Sequence, residues 1–395
     1  MKLTKLVCAL VLAAFCTGCA EVPEEVQKEI SDYHSEDGSQ GTKEQEFQYI
    51  KTREIAQDFK AAIQKDYGQF HISDKIIPCE PESLSMMRFS KTEHFSDQFN
   101  QAMSLFFAES DLSQFNTTHD DEGNNLFDDA DKKVYGCVGD DGFIAMLKPE
   151  VYDISYSYNE PNVRIYHPTR NEDLSDEYEL ADGAYSIRNA VDYVNQWLNT
   201  SYQAFSPDYS YEVETVIVRE HEGKYLFEIL IHALYKSVPI NSYTEELEKK
   251  DGSFTRFLKY TNCGLQIQMV KSDEIASFTN LCGIFEPIET ETIDQCISLQ
   301  SALTLCAETF TDLKDVTISD IQPMYTIEPE YKEISPDVYI ITGYHSHPVW
   351  EFIIDVTPSE FMKSGERNTY GDIRKYIYVD MVTGELNYNF DIVYR

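Results

Sequence analysis

His345-Ser346-His347 is the spacing in this chain that most directly suggests chemistry. On a strand, residues i and i+2 point to one face, so both imidazoles could share a metal ion. A zinc site takes at least three protein ligands, and no third stands close in the sequence. Glu351 would face the same way only if the strand ran unbroken through Pro348. The expectation is two surface histidines at a strand end, with no metal assigned. Glu228 and His232 form a second combination, an acid and a base on one strand face. Four residues along a strand span about 13 Å, so these side chains cannot touch. A solvated face is expected for them.

Two acidic runs raise the question of calcium: Asp120-Asp121-Glu122-Gly123-Asn124-Asn125 and Asp128-Asp129-Ala130-Asp131. Neither fits an EF-hand loop, because glycine misses the sixth position and no glutamate closes the loop. A solvated acidic loop is expected. Beyond Cys19, the chain after the leader holds Cys79, Cys137, Cys263, Cys282, Cys296 and Cys306. None has C-x-x-C spacing, so zinc-finger and thioredoxin chemistry find no support. Cys306 falls on the apolar face of an expected helix and reads as a buried thiol. Cys263 and Cys282 are the pair to test first for a disulfide, since a long hairpin could bring them together. No G-x-S-x-G, H-E-x-x-H, Walker A or Rossmann fingerprint occurs. Paired carboxylates of a glycosidase could come from distant positions among the 69 acidic residues. No catalytic, cofactor-binding or metal-binding residue is assigned.

The elements that must position these groups are short and mixed. Residues 47–175 read as an N-terminal α+β region. It opens with a helix face of Ile55, Phe59, Ala62 and Ile63, followed by strands at Phe70–Ile72, Lys75–Ile77 and Met86–Phe89. A second helix carries Phe95, Phe99, Ala102, Met103 and Phe106; strands follow at Gly142–Leu147 and Tyr152–Tyr158, and Pro161–Glu179 reads as loop. Residues 176–290 and 291–395 share an order of elements. In the first, Ile187, Ala190, Val191, Val194, Trp197 and Leu198 line a helix, and strands follow at Tyr211–Arg219 and Tyr225–Tyr235. In the second, Leu299, Ala302, Leu303, Cys306 and Phe310 line a helix. Its strands are Val316–Ile321, Val338–Tyr344, Trp350–Val356 and a closing hairpin turned at Thr383-Gly384. Helix followed by antiparallel sheet, twice over, is duplicated-domain spacing rather than a solenoid period.

The first nineteen residues give an address. Lys2 and Lys5 precede an apolar run from Leu6 to Phe15, and Thr17-Gly18-Cys19 follows. That run suits a secretory signal and is too short to span a bilayer. Residues 1–19 are expected to be a lipoprotein signal with Cys19 as the acylated residue. Gly18-Cys19-Ala20 also suits ordinary signal peptidase, which would give a secreted product instead. Residues 20–46, rich in acid, Ser and Gly, read as a disordered tether. The formal charge is −37, and losing Lys2 and Lys5 with the leader makes it −37 − 2 = −39. Such a charge argues against nucleic acid, where Lys and Arg must neutralise phosphates. It argues equally against docking on anionic lipid. Any membrane contact is through the anchor, on the extracytoplasmic face.

Certain segments carry a resemblance. Tyr378-Val379-Asp380-Met381-Val382-Thr383-Gly384-Glu385-Leu386 resembles the hairpin that ends PepSY-type modules, which have a V-D-x-x-T-G-E-[IL] turn. Pro348-Val349-Trp350-Glu351-Phe352 resembles their preceding strand, and Ser298-Leu299-Gln300-Ser301-Ala302-Leu303 their helix start. From about residue 95 to 395 the layout resembles uncharacterised clostridial lipoproteins, a family known only as a domain of unknown function. Tyr225–Asn241 is similar to their central strand, with Ser237 where that family carries Gly before Val-Pro. The resemblance implies an α+β fold of two PepSY-like helix-plus-antiparallel-sheet modules after the N-terminal region. It also implies binding or inhibition of proteins at the cell surface, and it supplies no catalytic residue. The expected function is thus a non-enzymatic, lipid-anchored module for a protein or peptide partner. The alternative is a cell-surface hydrolase of glycan or peptide.

Overall fold

Strand, not helix, is the dominant element of this chain. The computed structural model describes residues 47–91, 103–107, 118–119, 125–129, 134–138, 144–152, 162–205, 208–221, 223–250, 253–262, 265–280, 285–311, 313, 315–335, 338–355 and 375–388. Cys19, the tether, Cys263, Cys282 and most of the two acidic runs lie outside them.

The chain enters through β1 (Tyr49–Lys51), helix α1 (Ile55–Ala62), β2 (Phe70–Ile72) and β3 (Ser85–Lys91). Next come β4 (Thr118–His119), β5 (Asn125–Asp129), β6 (Val134–Val138), β7 (Ile144–Leu147) and the short helix α2 (Pro149–Tyr152). After β8 (Asn162–Tyr166) and the hairpin of β9 (Glu177–Leu180) and β10 (Gly183–Ser186) stands α3 (Ile187–Thr200). Three long strands follow, β11 (Ser210–His221), β12 (Lys224–Tyr235) and β13 (Val238–Lys250), then β14 (Ser253–Asn262), β15 (Leu265–Met269) and β16 (Ser277–Asn280). β17 (Phe285–Thr292) and β18 (Gln295–Ile297) lead to α4 (Leu299–Thr309). The chain closes with β19 (Val316–Ser335), β20 (Val338–Asp355), β21 (Lys375–Asp380) and β22 (Leu386–Tyr388).

One half of the sheet runs β8-β11-β12-β15-β16-β7-β6-β5-β4, every neighbour antiparallel. The other runs β2-β19-β20-β21-β22, with β2 parallel to β19. Strands this long change neighbours along their length. β20 meets β3 at Tyr344–Ser346 and β21 from Val349 onward, both along one edge. β13 joins the halves: it pairs with the end of β12, then runs parallel to β19 at Ile240–Ser242.

This mixed, continuous sheet overturns the expected α+β fold of two PepSY-like modules. Small antiparallel sheets stand alone only if their edges end; here β13 and β2 extend those edges with parallel pairings. The expected break between strands Val338–Tyr344 and Trp350–Val356 is absent, and β20 runs as one strand through Pro348. Pro348 lies between the stretches paired to β3 and β21, and its carbonyl accepts from the Met381 N–H on that side. A missing N–H facing such a gap breaks no ladder bond, so the strand passes through. Other differences are local. β8 occupies part of the expected loop 161–179, Lys75–Ile77 is not a strand, and Tyr152 ends α2. Of the expected second helix, the described residues 103–106 are helical.

The helices cover one face of the sheet. Ile187, Ala190, Val191, Val194 and Leu198 of α3 and Leu299, Ala302, Leu303 and Cys306 of α4 are buried, and both join one core. Ser186 and Ser298 start the two helices, each hydroxyl accepting the backbone N–H three residues on. Phe59 and Trp350 pack with ring centroids 6.3 Å apart, and the Trp350 indole donates to the Ile297 carbonyl at 2.9 Å. Val213, Val216, Val218, Phe227, Ile229, Ile231, Phe352 and Ile354 complete this face. Their in-between neighbours point to the reverse face, where the polar groups lie. Among the described residues no helix is long and apolar enough to cross a membrane.

Candidate functional site

The reverse face buries charge, which strand alternation alone does not explain. On β11 and β12, Ile217 pairs with Glu228 and Glu212 with His232, so these side chains turn away from the helices. A bulge between Val213 and Thr215 inserts Glu214. Its Oε2 comes to 3.6 Å from Nε2 of His232. Arg219 Nε donates to Glu228 Oε2 at 2.5 Å, and Gln266 Nε2 donates to Oε1 at 2.6 Å. Burial raises the Glu228 carboxyl above its ordinary range, with the Arg219 guanidinium opposing.

β19 and β20 repeat this plan. A bulge between Ile318 and Asp320 stands where β11 has its own, and Gln322 pairs with Glu351 as Ile217 pairs with Glu228. Gln322 Nε2 donates to Glu351 Oε2 at 2.8 Å. Met324 holds the register position that Arg219 holds in the first half. Asp320 accepts from Arg170 Nε at 3.2 Å. Burial pushes the Glu351 carboxyl up to about 7; Gln322 and His232 pull it down, while Glu214 and Asp320 reinforce the rise. Burial also raises Asp320 against the pull of Arg170. It raises Glu212 too, opposed by His232. The Cys79 thiol is pushed up to about 12 by burial and by Glu212, Asp320 and Glu80. A thiol so raised is a poor nucleophile at neutral pH.

Thus Glu228 and His232, read from sequence as a solvated pair, are 2% and 1% exposed. They point the same way along β12 but serve different groups, Glu228 with Arg219 and His232 with Glu214. In the sequence Glu351 stands out only as a companion of His345 and His347, and Glu214, Asp320, Arg170 and Arg219 do not stand out. A usable signal existed: an acid between large apolar neighbours, as in Phe227-Glu228-Ile229 and Trp350-Glu351-Phe352. Alternation inside an otherwise apolar strand put them on the reverse face, and what covers that face was not readable.

His345 and His347 do share a face, with ring centroids 5.8 Å apart. They lie mid-strand rather than at a strand end, because β20 continues through Pro348, and Glu351 therefore faces the same side. It is committed to Gln322 farther along the strand. His347 Nδ1 lies 2.9 Å from Asp380 Oδ2, and His345 lies 3.7 Å from Glu328 and 4.0 Å from Glu330. Among the described residues, no group of three or more His, Cys, Asp or Glu is arranged to hold a metal ion. Among the described residues, Cys79, Cys296 and Cys306 are free thiols.

The chain matches no known protein family and no protein of curated function. Among solved structures it is similar to an uncharacterized protein from Eubacterium rectale ATCC 33656, at 11% identity and a TM-score of 0.47. The alignment covers 81% of this chain and 90% of that one.

Proposed function

We propose that this protein is a lipid-anchored, extracytoplasmic binding protein with no catalysis of its own, its ligand a protein or peptide. One observation carries the reading: the convergent acids and histidine are walled off. A general acid or base must reach the proton it transfers. Glu351 and His232 are 1% exposed, Glu214 4% and Asp320 8%. The surface offers strand edges instead. Among the described residues β17 pairs on one side only, with β3, and carries half-exposed Ile288 among exposed Glu286, Glu289 and Glu291. An extended, basic segment fits such an edge by strand addition. The Cys19 leader and the acidic tether support display outside the cell.

Crosslinking on intact cells followed by mass spectrometry tests the proposal. Recovery of one partner protein, lost when β17 is altered by Ile288→Lys, is the expected result. Cleavage of labelled glycans or peptides by the purified chain, with no partner recovered, would replace binding by hydrolysis.

A further inference from the structure

We propose that the β17 edge selects its ligand by side-chain order: an extended segment presenting basic, apolar and basic residues in turn on one face. This rests on the binding reading above and gives its ligand a chemistry. Rows of side chains cross the sheet to that edge. Glu328 of β19 pairs with His345 of β20, His345 with Arg88 of β3, and Arg88 with Ile288 of β17. Paired residues share a face, so these four lie in one row on the reverse face. Glu286, paired with Ser90, stands two residues before Ile288 and shares its face. The bulge between Glu289 and Glu291 returns Glu291 to that face, opposite Met86. β17 thus presents acid, isoleucine, acid.

The charges behind this row are already matched. Arg88 lies 3.4 Å from Glu330, and His345 lies 3.7 Å from Glu328. Glu289 pairs with buried Met87 and so turns to the opposite face, where Lys236 donates to it at 2.5 Å. Among the described residues these ion pairs include neither Glu286 nor Glu291, and both are exposed. Ile288 between them is 51% exposed. A strand added beside β17 sets one residue against each of the three. Opposite charges facing across strands stabilise pairing, and like charges oppose it. Basic residues therefore fit beside Glu286 and Glu291, and an apolar one beside Ile288. A basic residue in the middle would approach Arg88, the next side chain along the row.

The same acids disfavour a second copy of this chain. Two β17 edges side by side would crowd glutamates together, the charge pattern that guards exposed edges. The net charge of −37 adds repulsion between copies and attraction for a basic segment. Pro287 supplies no N–H, so the added ladder forgoes at most one bond.

The test uses the full mature chain and two labelled peptides. One is acetyl-Ser-Lys-Thr-Val-Thr-Lys-Ser-amide, and the other carries Glu for both Lys. Binding is read by fluorescence anisotropy, and the site by hydrogen exchange at 286–292. The lysine peptide is expected to bind about tenfold tighter, to weaken with salt and to protect 286–292. Glu286→Lys combined with Glu291→Lys should reverse the preference. Should that variant fail to fold, Glu286→Gln, which should shrink the preference, takes its place. Equal binding of the two peptides, binding of neither, or protection only outside 286–292 overturns the proposal. So does a dimer of the chain that protects β17 without peptide. Those results leave the binding reading standing if cells still yield a partner that Ile288→Lys abolishes. Cleavage of either peptide by the purified chain overturns both.

Discussion

A glutamate inside an apolar strand is tolerated only with company, and the two equivalent glutamates keep different company. Glu228 has the Arg219 guanidinium and the Gln266 amide; Glu351 has the Gln322 amide. Removing one member of a buried pair costs more than the pair itself contributes, because the survivor stays desolvated. Arg219→Met is therefore expected to destabilise the chain by about 3–5 kcal/mol in chemical denaturation at neutral pH. Arg219→Met combined with Glu228→Leu, which removes both charges, should recover most of that loss. Equal losses for the single and double variants would show that the guanidinium acts through packing instead. The register of Glu228 on the reverse face was legible from alternation. Its burial was not, because Arg219 reaches it from another strand and Gln266 from a third.

At the scale of elements, the helices were the easiest to read and the sheet the hardest. A helix announces itself within one span: Ser186 and Ser298 cap, and a 3.6-residue stripe follows. The second cap on α4 was hidden, since Asp58 of α1 accepts from the Leu299 N–H at 2.6 Å across a long sequence separation. Asp58→Ala should cost about 1–2 kcal/mol in a urea titration, and a change within error would assign that capping to Ser298 alone. The closing hairpin shows the same mixture. Its Gly384, at φ +78°, was legible, and a Cβ there would collide with the Phe47 ring. The anchoring of its turn was not. Asp380 Oδ1 accepts from the Val382 and Thr383 N–H groups, while Oδ2 engages His347. The Asp380 hydrogen bond raises the His347 pKa; burial works against ionised Asp380, yet His347 and the turn amides hold its pKa low. The pair's contribution is thus lost as pH rises through the raised His347 value, and lost again as pH falls through the lowered Asp380 value. Asp380→Asn should lower the His347 titration midpoint by NMR; an unmoved midpoint would deny the coupling.

The molecule as a whole carries acid outside and acid inside, and the two respond to different variables. The net charge of −37 is spread along the sequence, so most of it faces solvent and repels itself through water. Added salt screens such charges beyond about 10 Å at 0.1 M. The buried Arg219–Glu228 and Arg170–Asp320 pairs, with side chains at most 11% exposed, lie out of reach of that screening. Sodium chloride from about 20 mM to about 0.3 M should therefore raise the melting temperature of the mature chain by a few degrees. The part of the pH slope of stability that comes from the buried, raised carboxyls of Glu351, Asp320, Glu212 and Glu228 should stay nearly the same at both salt concentrations. Melting curves across a grid of salt and pH separate the two. If salt flattens the pH slope, the protons concerned sit at the surface rather than on the interior acids.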